Sequence, residues 1–255
     1  MRRLALPLVL LAVALAGCGG DRGAPAEARG TEAAPSTPIP PDRDPILIVP
    51  VPAKAAEGDH RYAADWSFDL KDAEHMSVHV HVIPPGQMVP IHRHPENWEL
   101  TFVAGGEGEW STVVAGSEGP ERTTTLLRAG QAAVAPPGAV HGVRNRGTEL
   151  LAAVVVHRPR FGQNWYLPEA EVTSTVPASP LGESAPAVPE GWTVGWTDGG
   201  DAEAEGDRVL LFAGAGSVSF EEREVPVAPG TVAIFPPGVP HISRGRALAL
   251  VIPRP

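Results

Sequence analysis

His92 and His94 stand with one residue between them, Glu99 follows five residues after His94, and a further histidine, His141, comes later in the chain. Imidazole and carboxylate are ligand types that suit first-row transition metals. Residues two apart on an extended chain project from one face, so the rings of His92 and His94 point the same way. Pro95 offers a bend that brings a strand bearing Glu99 alongside them. The turn Pro136-Pro137-Gly138 then places His141 at the start of another strand, able to supply a fourth donor. The competing reading is a set of hydrogen-bonded interior polar groups. Burying three imidazoles and a carboxylate with no shared cation is expensive, unless a bound ligand meets the charge.

The elements that must position these groups read as short strands. The chain of 255 residues contains 28 Gly and 29 Pro, enough to interrupt long helices and to favour strands joined by tight turns. Residues 76–83 alternate cleanly, with Val78, Val80 and Val82 on one face and His79 and His81 on the other. Further strands are expected at 98–103, 108–114, 123–127, 132–135 and 149–157. His79, His81 and His157 are candidates to line a pocket, although His79 and His81 face either the interior or solvent. Trp98 should point away from Glu99 and pack in a core or between two barrels. The aromatic cluster from Phe161 to Trp165 and Tyr166 reads as a packed connector, with a lid over a barrel mouth as the alternative.

A second strand-rich block follows a Pro-, Ser-, Ala- and Glu-rich stretch. Its Gly230, Pro236, Pro237, Gly238 and His241 repeat Gly130, Pro136, Pro137, Gly138 and His141 at one fixed offset, which points to an internal duplication. Matching the glycine-rich turns puts Val209 opposite Glu99, and no His-x-His precedes it. Only His241 survives, so this half is expected to hold no metal. It is also short, and residues 46–51 are the candidate for a borrowed strand.

The two units Gly86-x5-His92-x-His94-x4-Glu99-x6-Gly106 and Gly130-x5-Pro136-x-Gly138-x2-His141-x3-Asn145 resemble the paired motifs of the cupin superfamily, with every specified position filled. The resemblance implies an all-β fold, a cupin jelly-roll or double-stranded β-helix barrel, duplicated here with a shorter degenerate second barrel. It also implies that His92, His94, Glu99 and His141 hold one divalent metal ion, with Fe, Mn, Ni, Co, Zn and Cu all compatible with the ligand set. Cupins with such a site run several chemistries, and the fold does not fix the reaction. The leading expectation is a metal-dependent enzyme, dioxygenase-like or a related oxidoreductase, acting on a small organic substrate. The alternative is a non-catalytic lipoprotein that captures a small ligand or metal, and a weaker third is a structural surface protein. No catalytic residue beyond the ligands is identified.

The N-terminus bears on location. A basic start at Arg2 and Arg3 and an apolar run from Leu4 to Ala16 lead into Leu15-Ala16-Gly17-Cys18, which looks like a bacterial lipobox. Cys18, the single cysteine, is then the lipidation site, and two or more acyl chains would anchor the protein on the extracytoplasmic face of the cell membrane. The expected organisation is a signal peptide over 1–17, a disordered linker over 18–44, a metal-binding barrel over 45–160, a connector over 161–188 and a degenerate barrel over 189–255. The formal net charge of −10 and the lack of any basic stripe argue against nucleic acid as a partner. A small-molecule substrate or ligand and the membrane are the expected partners, and a homodimer is compatible with the sequence.

Overall fold

The computed structural model describes residues 46–57, 67–162, 164–182, 188, 190 and 192–254. The expected signal peptide, linker and Cys18 lie outside the described residues. The first elements are β1 (Leu47–Pro50), the helix α1 (Val51–Glu57), β2 (Ser67–Ala73), β3 (Met76–Ile83), β4 (Met88–Arg93) and β5 (Trp98–Gly105). There follow β6 (Glu107–Gly116), β7 (Gly119–Arg128), β8 (Ala132–Ala135), β9 (Val140–Asn145), β10 (Leu151–Arg158), β11 (Trp165–Tyr166) and β12 (Ser179–Pro180). The last elements are β13 (Thr193–Ala202), β14 (Asp207–Phe212), β15 (Gly216–Phe220), β16 (Arg223–Val227), β17 (Thr231–Phe235) and β18 (His241–Ile252).

All strand pairs are antiparallel, and they build two facing sheets around the first half. One runs β12-β8-β5-β10-β3-β2 and the other β11-β4-β9-β6-β7, which is a jelly-roll barrel. The alternation read from the sequence decides which side chains enter it. Val78, Val80, Val82, Val154 and Val156 face away from the barrel interior and join Leu211, Ile234 and Leu248 of the second half in one buried cluster. The opposite faces of β3 and β10 carry His79, His81 and His157 into the barrel's cavity. Trp98 packs against the shared cluster, as its position beside Glu99 requires. Inside the barrel, Ile83, Val103, Trp110, Ala133, Val143 and Leu151 form a separate core below the histidines.

No strand was expected at β2, β4, β11 or β12, and β4 carries His92. Pro90 interrupts β4, because a proline donates nothing to the ladder. The pairing of β4 with β9 shifts register between Val89 and His92. The helix α1 was also missed: Pro52 sits in its first turn, where the missing N–H does no harm, and Val51 and Ala55 bury one stripe.

The pairing of the first half recurs in the second. The end of β13 pairs with the start of β18 (Ala202 with His241), as β4 pairs with β9 (His92 with His141). Arg208 on β14 pairs with Phe235, as Glu99 on β5 pairs with Ala135. The register therefore puts Arg208, not Val209, at the place of Glu99. The glycines of the two turns do not occupy equivalent positions, so matching them slips the comparison by one residue. Gly238 N–H donates to Ala204 O (2.9 Å) as Gly138 N–H donates to His94 O (2.7 Å), so Ala204 stands where His94 does.

β1 pairs with β17 in the second sheet, Leu47 opposite Ile234 and Pro50 opposite Thr231. The segment expected to be lent is thus found in the second half's sheet, and the first barrel's strands begin at Ser67 rather than at residue 45. β12, from the connector, extends the first sheet in the corresponding place, with Ser179 opposite Val134.

A buried ion cluster ties the halves together. Asp207, fully buried, accepts hydrogen bonds from Lys71 Nζ (2.8 Å), His75 Nε2 (2.6 Å) and Arg254 Nε (3.0 Å). Burial pushes its carboxyl up, but the bonds from Arg254 and Lys71, the Lys71 charge and the His75 bond outweigh that and hold it below its ordinary value of 3.8. Its contribution to stability is therefore complete above the unfolded-state pKa and is lost as pH falls through the lower folded value. Asp207→Asn strands three donors and should destabilise the fold by about 3–5 kcal/mol at neutral pH. Chemical denaturation should show that loss shrinking below pH 4, and an unchanged midpoint at pH 7 would contradict it.

Candidate metal centre

Four side chains from three strands and one turn meet inside the first barrel. His92 lies at the end of β4, His94 just beyond it, Glu99 on β5 and His141 on β9; all four are buried, and one donor atom from each lies within 4.8 Å of the others. His92 Nδ1–H donates to Pro90 O (2.8 Å) and His141 Nδ1–H to Ala139 O (3.1 Å). Each bond fixes the ring and leaves Nε2 facing the centre, the arrangement by which outer hydrogen bonds orient metal ligands. Glu99 is divided in the same way. Thr101 Oγ1–H donates to Oε1 at 2.5 Å, while Oε2 faces His94 Nε2 (2.8 Å), His141 Nε2 (3.0 Å) and His157 Nε2 (3.2 Å).

This crowding has an electrostatic requirement. A neutral ring whose Nδ1 holds the proton presents a lone pair at Nε2, and a lone pair against a carboxylate oxygen is repulsive unless positive charge lies between them. In the chain alone a proton meets the need. Burial disfavours charge on His141, but the Glu99 carboxylate beside it, their hydrogen bond and the Ala139 carbonyl raise it above 6.5. Burial likewise pushes Glu99 up, yet the His141 charge and bonds from His141, His157 and His94 hold it well below its ordinary value. Burial, with the neighbouring His141 charge, lowers His92 to about 3, so its nitrogen is free to donate a lone pair at pH 7. The donor set fits a divalent cation, which would replace the proton and satisfy every atom aimed at the centre.

The centre opens onto a cavity of about 460 Å³. His79, His81 and His157 all line it, so the structure brings every candidate histidine of the first half together. His79 stacks on His157 with ring centroids 5.1 Å apart, and Trp110 lies flat under His141 at 5.0 Å. The aromatic segment after the barrel also contributes to the site. Phe161, Asn164 and Tyr166 line the mouth, and β11 pairs Tyr166 with His92. The connector reading for this segment gives way to one in which it forms part of the pocket wall, because its two-residue strand adds to the sheet beside His92.

Thr101 and Asn145 shape the site without joining its four donors. Thr101 is two residues from Glu99 on β5, the spacing that puts both on one face. Asn145 Nδ2–H donates to Ile83 O (2.7 Å) and Glu149 O (2.8 Å), while its Oδ1 accepts from Gly147 N–H (2.8 Å). It staples the turn between β9 and β10. In the second half β18 runs straight through that turn, and Gly245 stands in place of the asparagine. Gly106 closes the first motif: its φ is +79°, and a Cβ there would meet Leu150 O at 2.5 Å.

The second half keeps the scaffold without the donors. Ala202, Ala204, Arg208 and His241 occupy the places of His92, His94, Glu99 and His141. His241 bonds Val239 O through Nδ1 (2.9 Å) and stacks on Phe235 at 3.9 Å. Two methyls, a guanidinium and one imidazole do not make a cation site.

A jelly-roll barrel with inward imidazoles and a carboxylate is the architecture of the cupin superfamily. Residues 79–157 match the family model for the cupin domain, a stretch that includes His92, His94, Glu99 and His141. Among solved structures, the chain is similar to a salicylate 1,2-dioxygenase from Pseudaminobacter salicylatoxidans, with a TM-score of 0.57, 15% identity, and coverage of 87% of this chain and 88% of that one. It is similar to protein Ylba from E. coli (TM-score 0.55, 11% identity, 81% and 90% covered). A cupin 2 conserved barrel domain protein from Leptotrichia buccalis gives 0.52 and 11%, with 81% and 96% covered. At these identities the likeness establishes the fold. No curated protein matches the chain.

Removing the Asn145 staple leaves two carbonyls without their donor. Asn145→Ala should cost about 2–4 kcal/mol of stability. Thermal or denaturant unfolding checks this, and a shift of under about 0.5 kcal/mol would show that the turn holds without it.

Proposed function

We propose that the first barrel binds one divalent metal ion through His92, His94, Glu99 and His141 and serves a metal-dependent oxidoreductase, dioxygenase-like, acting on a small organic substrate. The observation that carries this reading is the convergence of four buried donors on one point that requires positive charge. A bound Fe or Mn ion would supply a Lewis acid and a redox couple there. Three imidazoles and one carboxylate leave about two positions of a six-coordinate ion open toward the cavity. Thr101 occupies Oε1 of Glu99 so that only Oε2 faces the centre, and His157 Nε2 contacts that Oε2. Walls of Ile83, Val143, Val155 and Phe161 suit an apolar or aromatic ligand body. The cavity volume falls within the range of about 300–1,000 Å³ usual for small-molecule sites. The dioxygenase among the fold neighbours is in keeping with this reading, and its contribution is limited to the fold.

The same proposal reads the second half as a degenerate cupin barrel that supports the first, making the chain a bicupin. It also reads the protein as an exported lipoprotein anchored through Cys18 outside the cytoplasm, on the strength of the apolar leader and Leu15-Ala16-Gly17-Cys18.

His92→Ala and His141→Ala should each strip most metal from the protein while leaving the fold largely intact; elemental analysis that finds metal unchanged defeats the assignment. Thr101→Val should weaken metal binding by about 10–100-fold, read by competition with a chelator of known affinity. Oxygen uptake with candidate phenols, diones or flavonoids supports an oxygenase. Thermal stabilisation by such compounds with no turnover would make the site a binding site instead. Cys18→Ser should move the protein out of the membrane fraction, and persistent membrane association counts against lipidation.

A further inference from the structure

Two imidazoles in the cavity take no part in the quartet. His79 and His81 project from one face of β3 and share a hydrogen bond between their Nε2 atoms at 3.3 Å, with the rings edge-on at 87°. We propose that this pair recognises a neutral hydroxyl group of the substrate. The substrate class is then an uncharged phenol or similar hydroxylated aromatic compound, not an acid or an amine. This deepens the oxidoreductase reading and rests on it for the substrate's fate, while the binding step is tested separately.

One proton lies between the two Nε2 atoms. The ring that donates it carries a lone pair at Nδ1, and the ring that accepts it carries its own proton at Nδ1. Whichever ring donates, the pair offers one donor and one acceptor. Among the described residues neither ring makes a further hydrogen bond, and of the cavity histidines outside the quartet only His157 has its Nδ1 sealed away without a partner. His79 and His81 both line the cavity, so their Nδ1 atoms are open to a ligand there.

A hydroxyl both donates and accepts, so it can serve at either nitrogen. A carboxylate can use only the donor, and an ammonium only the acceptor. Adding a proton to suit a carboxylate is opposed. Burial, aided by His81 and His157, drives His79 well below its ordinary value, and burial lowers His81 to about 4. An acid would also meet like charge, because Asp69 and Glu99 line the cavity and no Lys or Arg of the described residues joins them.

The surroundings of the pair suit an aromatic body. Val155 and Ala153 stand opposite His79 and His81 in the β3–β10 pairing. Ser77 leaves the same face of β3, and its Oγ accepts a hydrogen bond from Phe161 N–H (3.0 Å). That bond holds the Phe161 ring 5.7 Å from His79 and 4.9 Å from His157. A polar pair flanked by apolar walls matches a ring that carries one hydroxyl.

The test uses the full chain and four ligands that share one methylphenyl body: p-cresol, toluene, p-toluate and 4-methylbenzylamine. Calorimetric titration is run on Zn²⁺-loaded protein, where no redox turnover occurs, and on chelator-stripped protein. In both, p-cresol should bind tightest, ahead of toluene by about 3–10-fold, the worth of one neutral hydrogen bond. His79→Ala and His81→Ala should each erase most of that lead. His81→Asn, whose amide keeps a donor and an acceptor, should retain it. p-Toluate or the amine binding as tightly as p-cresol overturns the proposal, and so does an absence of p-cresol binding. A lead seen only with Zn²⁺ also overturns it, since the hydroxyl would then sit on the metal. Imidazole ¹⁵N spectra of the unaltered chain decide the matter should a variant fail to fold. There p-cresol should move the Nδ1 signals of His79 and His81, and unmoved signals reject the pair. An absence of oxygen uptake while p-cresol binds defeats the oxidoreductase reading alone.

Discussion

One carboxylate oxygen sets the terms for the first barrel. Glu99 Oε2 faces three imidazole nitrogens at 2.8–3.2 Å, inside a wall of branched aliphatic side chains. An ionised carboxylate in such a place is tolerable only when its surroundings return the solvation it has lost. The backbone carbonyls of Pro90 and Ala139 fix the tautomers, Thr101 occupies the second oxygen, and the remaining deficit is a single positive charge at the common point. The strands around it serve to hold these groups at that point, beside a separate apolar core.

The second half shows what the same scaffold does when that demand is removed. With Ala202 and Ala204 in place of two histidines and Arg208 in place of the glutamate, the interior fills instead with Leu210, Phe212, Phe220 and Phe235. His241 turns from a donor at a shared centre into a ring stacked on Phe235. The outer face of its sheet remains apolar and closes over the valines of β3 and β10. The half without the donor set therefore still buries a face of the half that has it.

Much of this could be read from residue order. The alternation of Val78, Val80 and Val82 with His79 and His81 separated the two faces of β3 without saying which one looks inward, and the spacing around His92, Glu99 and His141 marked the residues that meet inside the barrel. Other features depend on partners far along the chain. β4 was hidden because Pro90 breaks the strand pattern, though that proline's carbonyl is what orients His92. Val209 was set opposite Glu99 in place of Arg208 because the glycine turns of the two halves differ in length, and strand pairing alone reveals the register. Thr101 reads as one more β-former until its hydroxyl is seen against Glu99. The Asp207 cluster joins Lys71, His75 and Arg254, which no local pattern could connect.

Each half is completed by a segment from outside its own run of strands. Leu47–Pro50 precedes the first barrel yet forms the margin of the second half's sheet, and Ser179–Pro180 from the connector borders the first. The boundary between modules is therefore not a point along the sequence. Cutting the chain anywhere between residues 50 and 193 would deprive at least one sheet of a bordering strand and expose a raw row of amide and carbonyl groups. Such an edge invites pairing with another molecule, which ties the upstream segment to a half of the protein that begins more than a hundred residues later.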